Sequence, residues 1–438
     1  MYLKGSKLSL QKKRRRSNPW LVFFLVAAIG LLVYVNVFVV PEINPPFVPT
    51  PTETRDPISY EIEGDALASE GKFISAIETY QAAINANPQN VENYLKISRL
   101  QIYAGQFEQA KVNAENAILL NKSNSEAYAL LGWAKGFQDL YLEGELDAKK
   151  AIELDPNNAM GHAVYAFLSA LRVEAGVDEL DTKDLAIEES RTALALDSNQ
   201  LESRWARGYV LEITANYEEA VEQYEIAIQL NAYISELHIA LGRNYMTLSR
   251  FDEAVFEFTK AYSLNPTDST PNYLISRVYG NLGEWAKAIQ YGEQALKDEP
   301  TNPNLYANVG TMYYRSGLYN QALPYLEKAV RGGTTENGIV VEGIPLSYTT
   351  SVIEIYSRFG LSLARVNLCN EAVTVANGML QTIPYDADGV FNAEEIIRIC
   401  QENLTNPPTA TPEPTATPIT GPSPTPQVTT TPEATPTP

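Results

Sequence analysis

Small and hydrophobic residues recur along most of this chain with a period of 34 residues. Ala76 and Ala110 mark one such step, and a second alanine follows each of them seven positions later, at Ala83 and Ala117. Seven residues are about two turns of an α-helix, so both alanines of a unit lie on one helix face. Almost no segment shows the alternation that is typical of a strand. The pattern predicts an all-α chain of stacked helical units.

Turn residues divide each unit into two helices. Glycines such as Gly71 and Gly317 stand at position 15 of a unit, where a first helix must stop and turn. A proline near position 32, such as Pro266, ends the second helix because it has no N–H to donate. Nine units are predicted, and they start near residues 57, 91, 125, 159, 201, 235, 269, 303 and 353.

Two segments near the end of the series depart from the period. Residues 332–350 interrupt it between the eighth and ninth units, and the β-branched residues of 338–346 favour a small hairpin there. This hairpin could cover a groove or fill a gap between the two units. The apolar positions of 387–404 predict a helix that caps the stack, since its last apolar face must be covered. The predicted solenoid itself spans 57–386.

The residues within a unit also match a known pattern. The unit 235–268 carries Leu241, Gly242, Tyr245, Phe251, Ala254, Phe258, Ala261 and Pro266. This order resembles the tetratricopeptide repeat, in which W-x2-L-G-x2-Y is followed by A-x3-F and then by A and P. The resemblance implies a right-handed superhelical solenoid of about nine helix–turn–helix units. It also implies a non-enzymatic protein that binds other proteins.

The first forty residues favour a membrane anchor. Residues 20–40 carry no charge, while seven Lys and Arg residues and no acid precede them. An apolar stretch of this length is typical of a transmembrane helix, and the basic flank stays in the cytoplasm. The sequence predicts a basic cytoplasmic N-terminus over 1–18 and an uncleaved signal-anchor helix over 19–40. The expected product is a single-pass membrane protein with its bulk extracytoplasmic, at the cell surface.

Two segments are rich in proline and threonine. Residues 41–56 predict a semi-rigid linker. Of the 34 residues 405–438, 11 are Pro and 12 are Thr, with no aromatic and no basic residue. Such a tail cannot bury a core and is expected to be disordered. It either solubilises the chain or tethers it to cell-wall or surface glycan, in which case the stack is a spacer.

Charge and cysteine content narrow the partners. The formal net charge is −20. This acidity favours cationic partners and argues against nucleic acid. The two cysteines, Cys369 and Cys400, lie in the ninth unit and the cap. They form either a disulfide that fixes the cap or two buried thiols.

The resemblance implies that the first helices line a concave groove. Its inward positions are roughly 2, 5, 9, 12 and 13 of each unit. These positions are aromatic in the third to fifth units and carry arginines in the sixth to ninth. The candidate groove residues are Trp133, Phe137, Phe167, Leu171, Trp205, Tyr209, Arg243, Tyr273, Arg277, Asn281, Tyr314, Arg315 and Arg365.

These groove residues have two interpretations. In the first, a protein or peptide segment lies in the groove, with its apolar side chains on the aromatics and its carboxylates on the arginines. The protein would then organise an envelope complex or act as the regulatory subunit of a separate enzyme. In the second, the aromatics pack between neighbouring helices and the arginines pair with nearby acids. Similar repeats that hold acidic peptide ends use a Lys/Asn set that is absent here.

The sequence gives no sign of catalysis. His162 and His238 both occupy position 4 of a unit, where the resemblance implies a packing aromatic. No phosphate-binding loop, metal-ligand cluster or nucleophile elbow occurs. We therefore expect no enzymatic activity, no cofactor and no metal.

Overall fold

The computed structural model describes residues 18–35, 37, 55–176, 181–335 and 337–405. The chain divides into two units, residues 1–56 and 57–438. In the first unit, the described part contains one helix, α1 (Pro19–Tyr34). Outside the described residues lie 1–17 of the predicted basic N-terminus, most of the 41–56 linker and the tail from residue 406.

The predicted transmembrane helix over 19–40 is wrong. Helix α1 has 16 residues and ends at Tyr34. At about 1.5 Å per residue it is roughly 24 Å long, shorter than the roughly 30 Å core of a bilayer. Across the part of the chain that the structure describes, no helix has the length and apolar character needed to cross a membrane. The predicted localisation, a single-pass membrane protein with a cytoplasmic N-terminus and an extracytoplasmic bulk, is therefore also wrong.

The second unit is an all-α solenoid, which confirms that part of the predicted fold. Its described residues form nine helix pairs and a final helix. The first helices of the pairs are α2 (Pro57–Ser69), α4 (Val91–Tyr103), α6 (Ser125–Gly136), α8 (Ala159–Glu174), α10 (Leu201–Ile213), α12 (Ser235–Thr247), α14 (Thr270–Leu282), α16 (Pro303–Arg315) and α18 (Thr350–Arg365). The second helices are α3 (Phe73–Ala86), α5 (Phe107–Leu120), α7 (Tyr141–Leu154), α9 (Thr182–Leu196), α11 (Tyr217–Leu230), α13 (Phe251–Leu264), α15 (Trp285–Asp298), α17 (Tyr319–Arg331) and α19 (Cys369–Thr382).

Local signals set the limits of these helices. The Asn90 side chain accepts a hydrogen bond from the Glu92 backbone N–H, and Asn124 caps α6 in the same way. Where a first helix ends, one residue takes a positive φ, as at Gly105 (70°) and Gly317 (81°). Four pairs use a non-glycine residue at this turn, and these residues are Asp139, Ala215, Ser249 and Asn367.

Small residues bring the two helices of a pair close together. Ala110 is completely buried, and the Ser98 Oγ of the facing helix donates a hydrogen bond to its carbonyl oxygen at 2.8 Å. In the third pair, a methyl group added at Gly132 would lie only 2.7 Å from the Gly144 carbonyl oxygen. The 34-residue spacing therefore places small residues where two backbones meet.

A short hairpin occupies the break in the series. Strand β1 (Gly333–Thr334) pairs antiparallel with β2 (Val340–Val341). The chain after β2 returns to the eighth pair, where the Ile344 N–H donates to the Ala329 carbonyl at 2.8 Å. The Tyr356 hydroxyl of α18 then donates to the Ile344 carbonyl at 2.8 Å. This segment thus joins α17 to α18.

A final helix, α20 (Ala387–Thr405), covers the ninth pair. It buries Ala393, Ile396 and Cys400. Cys400 forms a disulfide with Cys369 at the start of α19, and the two Cα atoms are 5.4 Å apart. The stack thus ends on a helix that is covalently attached to its neighbour.

Candidate functional site

An open groove lies along the first helices of the seventh, eighth and ninth pairs. We call it the arginine groove. It has a volume of about 340 Å³, and it is lined by Tyr273, Arg277, Asn281, Asn304, Ala307, Asn308, Thr311, Met312, Arg315, Ser351, Glu354, Ile355 and Arg358. Helices α14, α16 and α18 supply these side chains, so three successive pairs build one surface.

The arginine groove carries an excess of positive charge. Its described lining holds three guanidinium groups and one carboxylate, Glu354. Glu354 forms an ion pair with Arg358 on the same helix at 2.7 Å. Arg315 lies over the Trp285 ring at 4.9 Å, and Arg277 lies 5.7 Å from the centre of the Tyr273 ring. Aromatic rings hold these two guanidinium groups in place without neutralising their charge.

Buried hydrogen bonds fix the floor of the arginine groove. The Asn308 Nδ2 donates to the Ser276 Oγ at 2.8 Å, which joins α16 to α14. The Ser276 hydroxyl donates in turn to the Ala288 carbonyl at 2.6 Å. Both side chains are buried. Because this chain of bonds locks neighbouring first helices, the spacing between Arg277 and Arg315 is set by the fold.

Tyr314 and Arg365 lie beside the arginine groove and are not part of its lining. The Arg365 guanidinium lies over the Tyr319 ring at 5.2 Å, and Tyr314 meets the same ring edge-on at 5.5 Å. Burial raises the pKa of Tyr314 above its ordinary value. Arg243 lies elsewhere and pairs with Glu212 at 3.0 Å. The structure thus brings together Tyr273, Arg277, Asn281 and Arg315 from the predicted set.

The predicted aromatic residues lie in the interior. Trp133, Phe167, Trp205 and Tyr209 are each at most 5% exposed, while Phe137 and Leu171 pack against them half-buried. Trp133 and Trp205 are 5.2 Å apart, and Phe167 and Tyr209 are 4.7 Å apart. These rings contact one another across the inner faces of α6, α8 and α10. These rings are therefore not part of the lining of the arginine groove.

A polar cluster closes the same inner face further. The Tyr103 hydroxyl of α4 donates to Glu202 of α10 at 2.8 Å, across 99 residues of sequence. Arg99 of α4 contacts Glu202 at 3.3 Å and Glu126 of α6 at 2.6 Å. Burial and the Glu202 carboxylate raise the pKa of Tyr103 well above its ordinary value. Contacts between the second and fifth pairs thus fill the space that an open groove would occupy.

Sequence analysis missed several residues of the arginine groove. Asn304 and Thr311 occupy inward positions 2 and 9 of the eighth unit, so the repeat register alone would have found them. Arg358 was missed for another reason. It occupies position 6 of the ninth unit, which was not among the expected inward positions, although Asn308 lines the groove from the same position of the eighth unit. Helix α18 begins at Thr350, before the predicted start of the unit near 353, and this extra turn carries Ser351 to the groove.

Both histidines make the same two contacts. His162 Nδ1 lies 2.5 Å from Glu189, and His238 Nδ1 lies 2.6 Å from Glu257. Each Nε2 lies 3.1 Å from the carbonyl oxygen six residues earlier in the chain. In the second and eighth pairs, the hydroxyls of Tyr94 and Tyr306 donate to the equivalent carbonyls. The histidines therefore act as ring donors at a position that links one pair to the next.

Comparison with protein families identifies the repeat. A model described as the tetratricopeptide repeat matches residues 59–90 and 235–268, and a second model with the same description matches 273–337. The last of these segments carries α14 and α16, two of the helices that line the arginine groove. A search of curated proteins finds no match.

Solved structures of repeat proteins are also similar. A tetratricopeptide repeat protein of Parabacteroides merdae is 14% identical, with a TM-score of 0.41, over 64% of this chain and 99% of that one. A thermophilic TPR protein of Thermus thermophilus is 19% identical, with a TM-score of 0.37, over 43% and 98%. The pilF protein of Pseudomonas aeruginosa is 23% identical, with a TM-score of 0.39, over 47% and 91%. On the family matches, this chain contains tetratricopeptide repeats.

Proposed function

We propose that this protein is a non-enzymatic interaction scaffold whose arginine groove binds an acidic, extended segment of a partner protein. The observation that carries the proposal is the charge of the groove. Three guanidinium groups face one carboxylate there, on a chain whose net charge is −20. An acidic chain that gathers arginines on one concave surface attracts anions to that surface.

The groups in the groove suit carboxylates in particular. A guanidinium presents a planar fork of donors that matches the two oxygens of a carboxylate. Asn281, Asn304 and Thr311 stand beside the arginines and offer donors and acceptors to a peptide backbone. Ile355 and Met312 add apolar surface for a neighbouring side chain.

The dimensions of the groove set the length of the segment. Packed helices lie roughly 8–10 Å apart, so three successive first helices span about 16–20 Å. An extended chain rises about 3.3 Å per residue, so about six residues cross the groove. The carboxylates that reach Arg277 and Arg315 therefore lie two to four residues apart on the ligand.

The proposal is tested by fluorescence anisotropy with labelled peptides of about six residues. One peptide carries alternating aspartates, and its counterpart carries asparagines at the same positions. We expect the aspartate peptide to bind the full chain about tenfold or more tightly, since a charged hydrogen bond contributes roughly 1.5–3 kcal/mol. The double variant Arg277→Gln/Arg315→Gln should lose this preference. Arg191→Gln, an exposed arginine on α9, is the matched control.

Three results would contradict the proposal. Equal affinity for the two peptides would show that carboxylates are not recognised. If Arg191→Gln lost as much affinity for the aspartate peptide as the double variant, the preference would arise from the overall charge of the protein and not from the groove arginines. Unchanged affinity in the double variant would place the peptide elsewhere on the protein.

A further inference from the structure

A second cavity, partly open to solvent, lies on the inner side of the solenoid, apart from the arginine groove. Its volume is about 200 Å³, and helices α8, α10 and α12 contribute most of its wall. Its lining includes the aromatic rings of Phe137, Phe167, Trp205 and Tyr209 and the charged residues Glu174, Glu236 and Arg243. We call it the interior cavity.

Three aromatic rings that line the interior cavity contact one another, and we call them the aromatic cage. Phe137 and Phe167 are 5.5 Å apart at an angle of 48°, and Phe167 and Trp205 are 6.3 Å apart at 72°. The ring planes are thus inclined to one another, and all three rings contribute to the lining of the cavity. Aromatic faces carry a negative quadrupole that attracts cations, and this attraction grows when the cation is desolvated.

The carboxylates of the interior cavity outnumber its cations. Arg243 is already paired with Glu212 at 3.0 Å, and Glu212 also accepts from the Tyr224 hydroxyl at 3.0 Å. Glu174 accepts a hydrogen bond from Tyr209. Among the described residues, no cationic side chain forms an ion pair with Glu174 or Glu236. Two carboxylates therefore line the cavity without an ion-pair partner among the described residues.

Glu236 is a carboxylate of the cavity that burial destabilises in its charged form. Its Oε2 is buried and has no hydrogen-bond partner in the described structure. Burial raises the pKa of its carboxyl to about 7. A buried carboxylate oxygen without a donor costs free energy, and a cation with an N–H group would remove that cost.

We propose that the interior cavity binds a small organic monocation that carries N–H donors, an alkylammonium or alkylguanidinium compound. Its charged end would donate to Glu236 and Glu174, and its alkyl chain would lie on the aromatic cage. The proposed ligand is a free small molecule, because a cavity of about 200 Å³ is smaller than the roughly 300–1,000 Å³ of pockets for drug-sized ligands.

The test is isothermal titration calorimetry of the full chain with n-butylguanidinium. Pentanamide, which is similar in size and neutral, is the matched ligand. We expect n-butylguanidinium to bind at least about tenfold more tightly than pentanamide, which corresponds to one charge-assisted contact. Glu236→Gln keeps the shape of the side chain and removes its charge, and it should weaken binding by about tenfold or more. Glu218→Gln, an exposed glutamate on α11, should bind as the wild type does.

The folded state of Glu236→Gln is checked by circular dichroism, and Glu174→Gln provides an independent variant of the same cavity. Equal affinity for the charged and neutral ligands would overturn the proposal, as would unchanged binding in both Gln variants. No heat with n-butylguanidinium would also overturn it. Binding of a Gly-Arg-Gly peptide in place of the free cation would assign the cavity to a partner's side chain and likewise overturn it.

Discussion

Replacing Gly132 by alanine tests the close approach of two helices in the third pair. A Cβ at this position would lie 2.7 Å from the Gly144 carbonyl oxygen and 3.3 Å from the Ala148 backbone nitrogen. Both neighbours are backbone atoms, so no side chain can rotate away. An ordinary contact begins near 3.4 Å. Helices α6 and α7 must therefore separate by about 0.7 Å, which opens packing along their whole length.

Two effects of opposite sign set the magnitude for Gly132→Ala. Overpacking in a close-packed interior costs about 1–3 kcal/mol. Alanine also favours the helix over glycine by about 1 kcal/mol. We expect a net loss of up to about 2 kcal/mol in the free energy of unfolding, concentrated in the third pair because the added methyl group meets backbone atoms of that pair.

Gly378→Ala is the matched control for Gly132→Ala. Gly378 also lies inside a helix, α19, but a Cβ there would meet no heavy atom within 4 Å. This substitution keeps the helix-propensity gain without the clash, so it should stabilise the protein by up to about 1 kcal/mol. Urea unfolding followed by circular dichroism gives the order of stability. Amide hydrogen exchange in α6 and α7 shows where Gly132→Ala acts. The close-approach reasoning is refuted if Gly132→Ala is as stable as Gly378→Ala.

Three further predictions concern polar contacts and the disulfide. The hydrogen bond to Glu189 raises the pKa of His162. The protonated imidazole therefore stabilises the fold fully below about pH 6.5, and this contribution is lost as pH rises through the folded-state pKa. His162→Tyr should keep the bond to the Pro156 carbonyl, and the midpoint of its urea unfolding should fall less than that of the wild type between about pH 5.5 and 8.5. Burial raises the pKa of the Glu236 carboxyl from its ordinary value of 4.5 to about 7, so this group increasingly disfavours folding as pH rises from about 4.5 to about 7. Glu236→Gln should therefore be more stable than wild type at about pH 8.5, by on the order of 2–3 kcal/mol, and nearly equal at about pH 4; a variant that is less stable at both pH values would contradict this. Cys369 and Cys400 are 31 residues apart, so reduction of their disulfide should lower the free energy of unfolding by about 3–4 kcal/mol. Reduction should also increase amide hydrogen exchange in α20, and unchanged exchange there would show that packing alone holds this helix in place.

The helical stack could be predicted from the sequence because its period reflects contacts within a pair. Ala76, Ala110 and Ala254 are completely buried, as small residues at a helix–helix contact must be. Contacts between distant pairs leave no such period. The hydrogen bond from Tyr103 to Glu202 depends on how tightly the inner faces approach one another, and a repeat pattern does not encode that. Burial of the predicted aromatic groove residues follows from the same approach.

Four of the thirteen residues that line the arginine groove were nominated from their positions in the repeat. Arg277 and Arg315 occupy the same inward surface because their helices are equivalent members of successive pairs. Arg358 was not nominated, because it reaches the groove from position 6 of its unit, outside the expected inward positions. The predicted membrane helix was inferred from composition over 19–40, whereas the described helix ends at Tyr34. Apolar composition alone does not determine where a helix stops.

The disulfide between α19 and α20 protects the end of the solenoid that carries the arginine groove. A terminal unit of a stack has fewer interfaces than an internal one, so melting starts at an end. At the C-terminal end of the described solenoid, α20 buries Gly389, Ala393, Ile396 and Cys400 and is covalently attached to α19. Fraying from this end should therefore be slow. The arginine groove, in the seventh to ninth pairs, lies next to this anchored end, so the disulfide should help it to keep its shape.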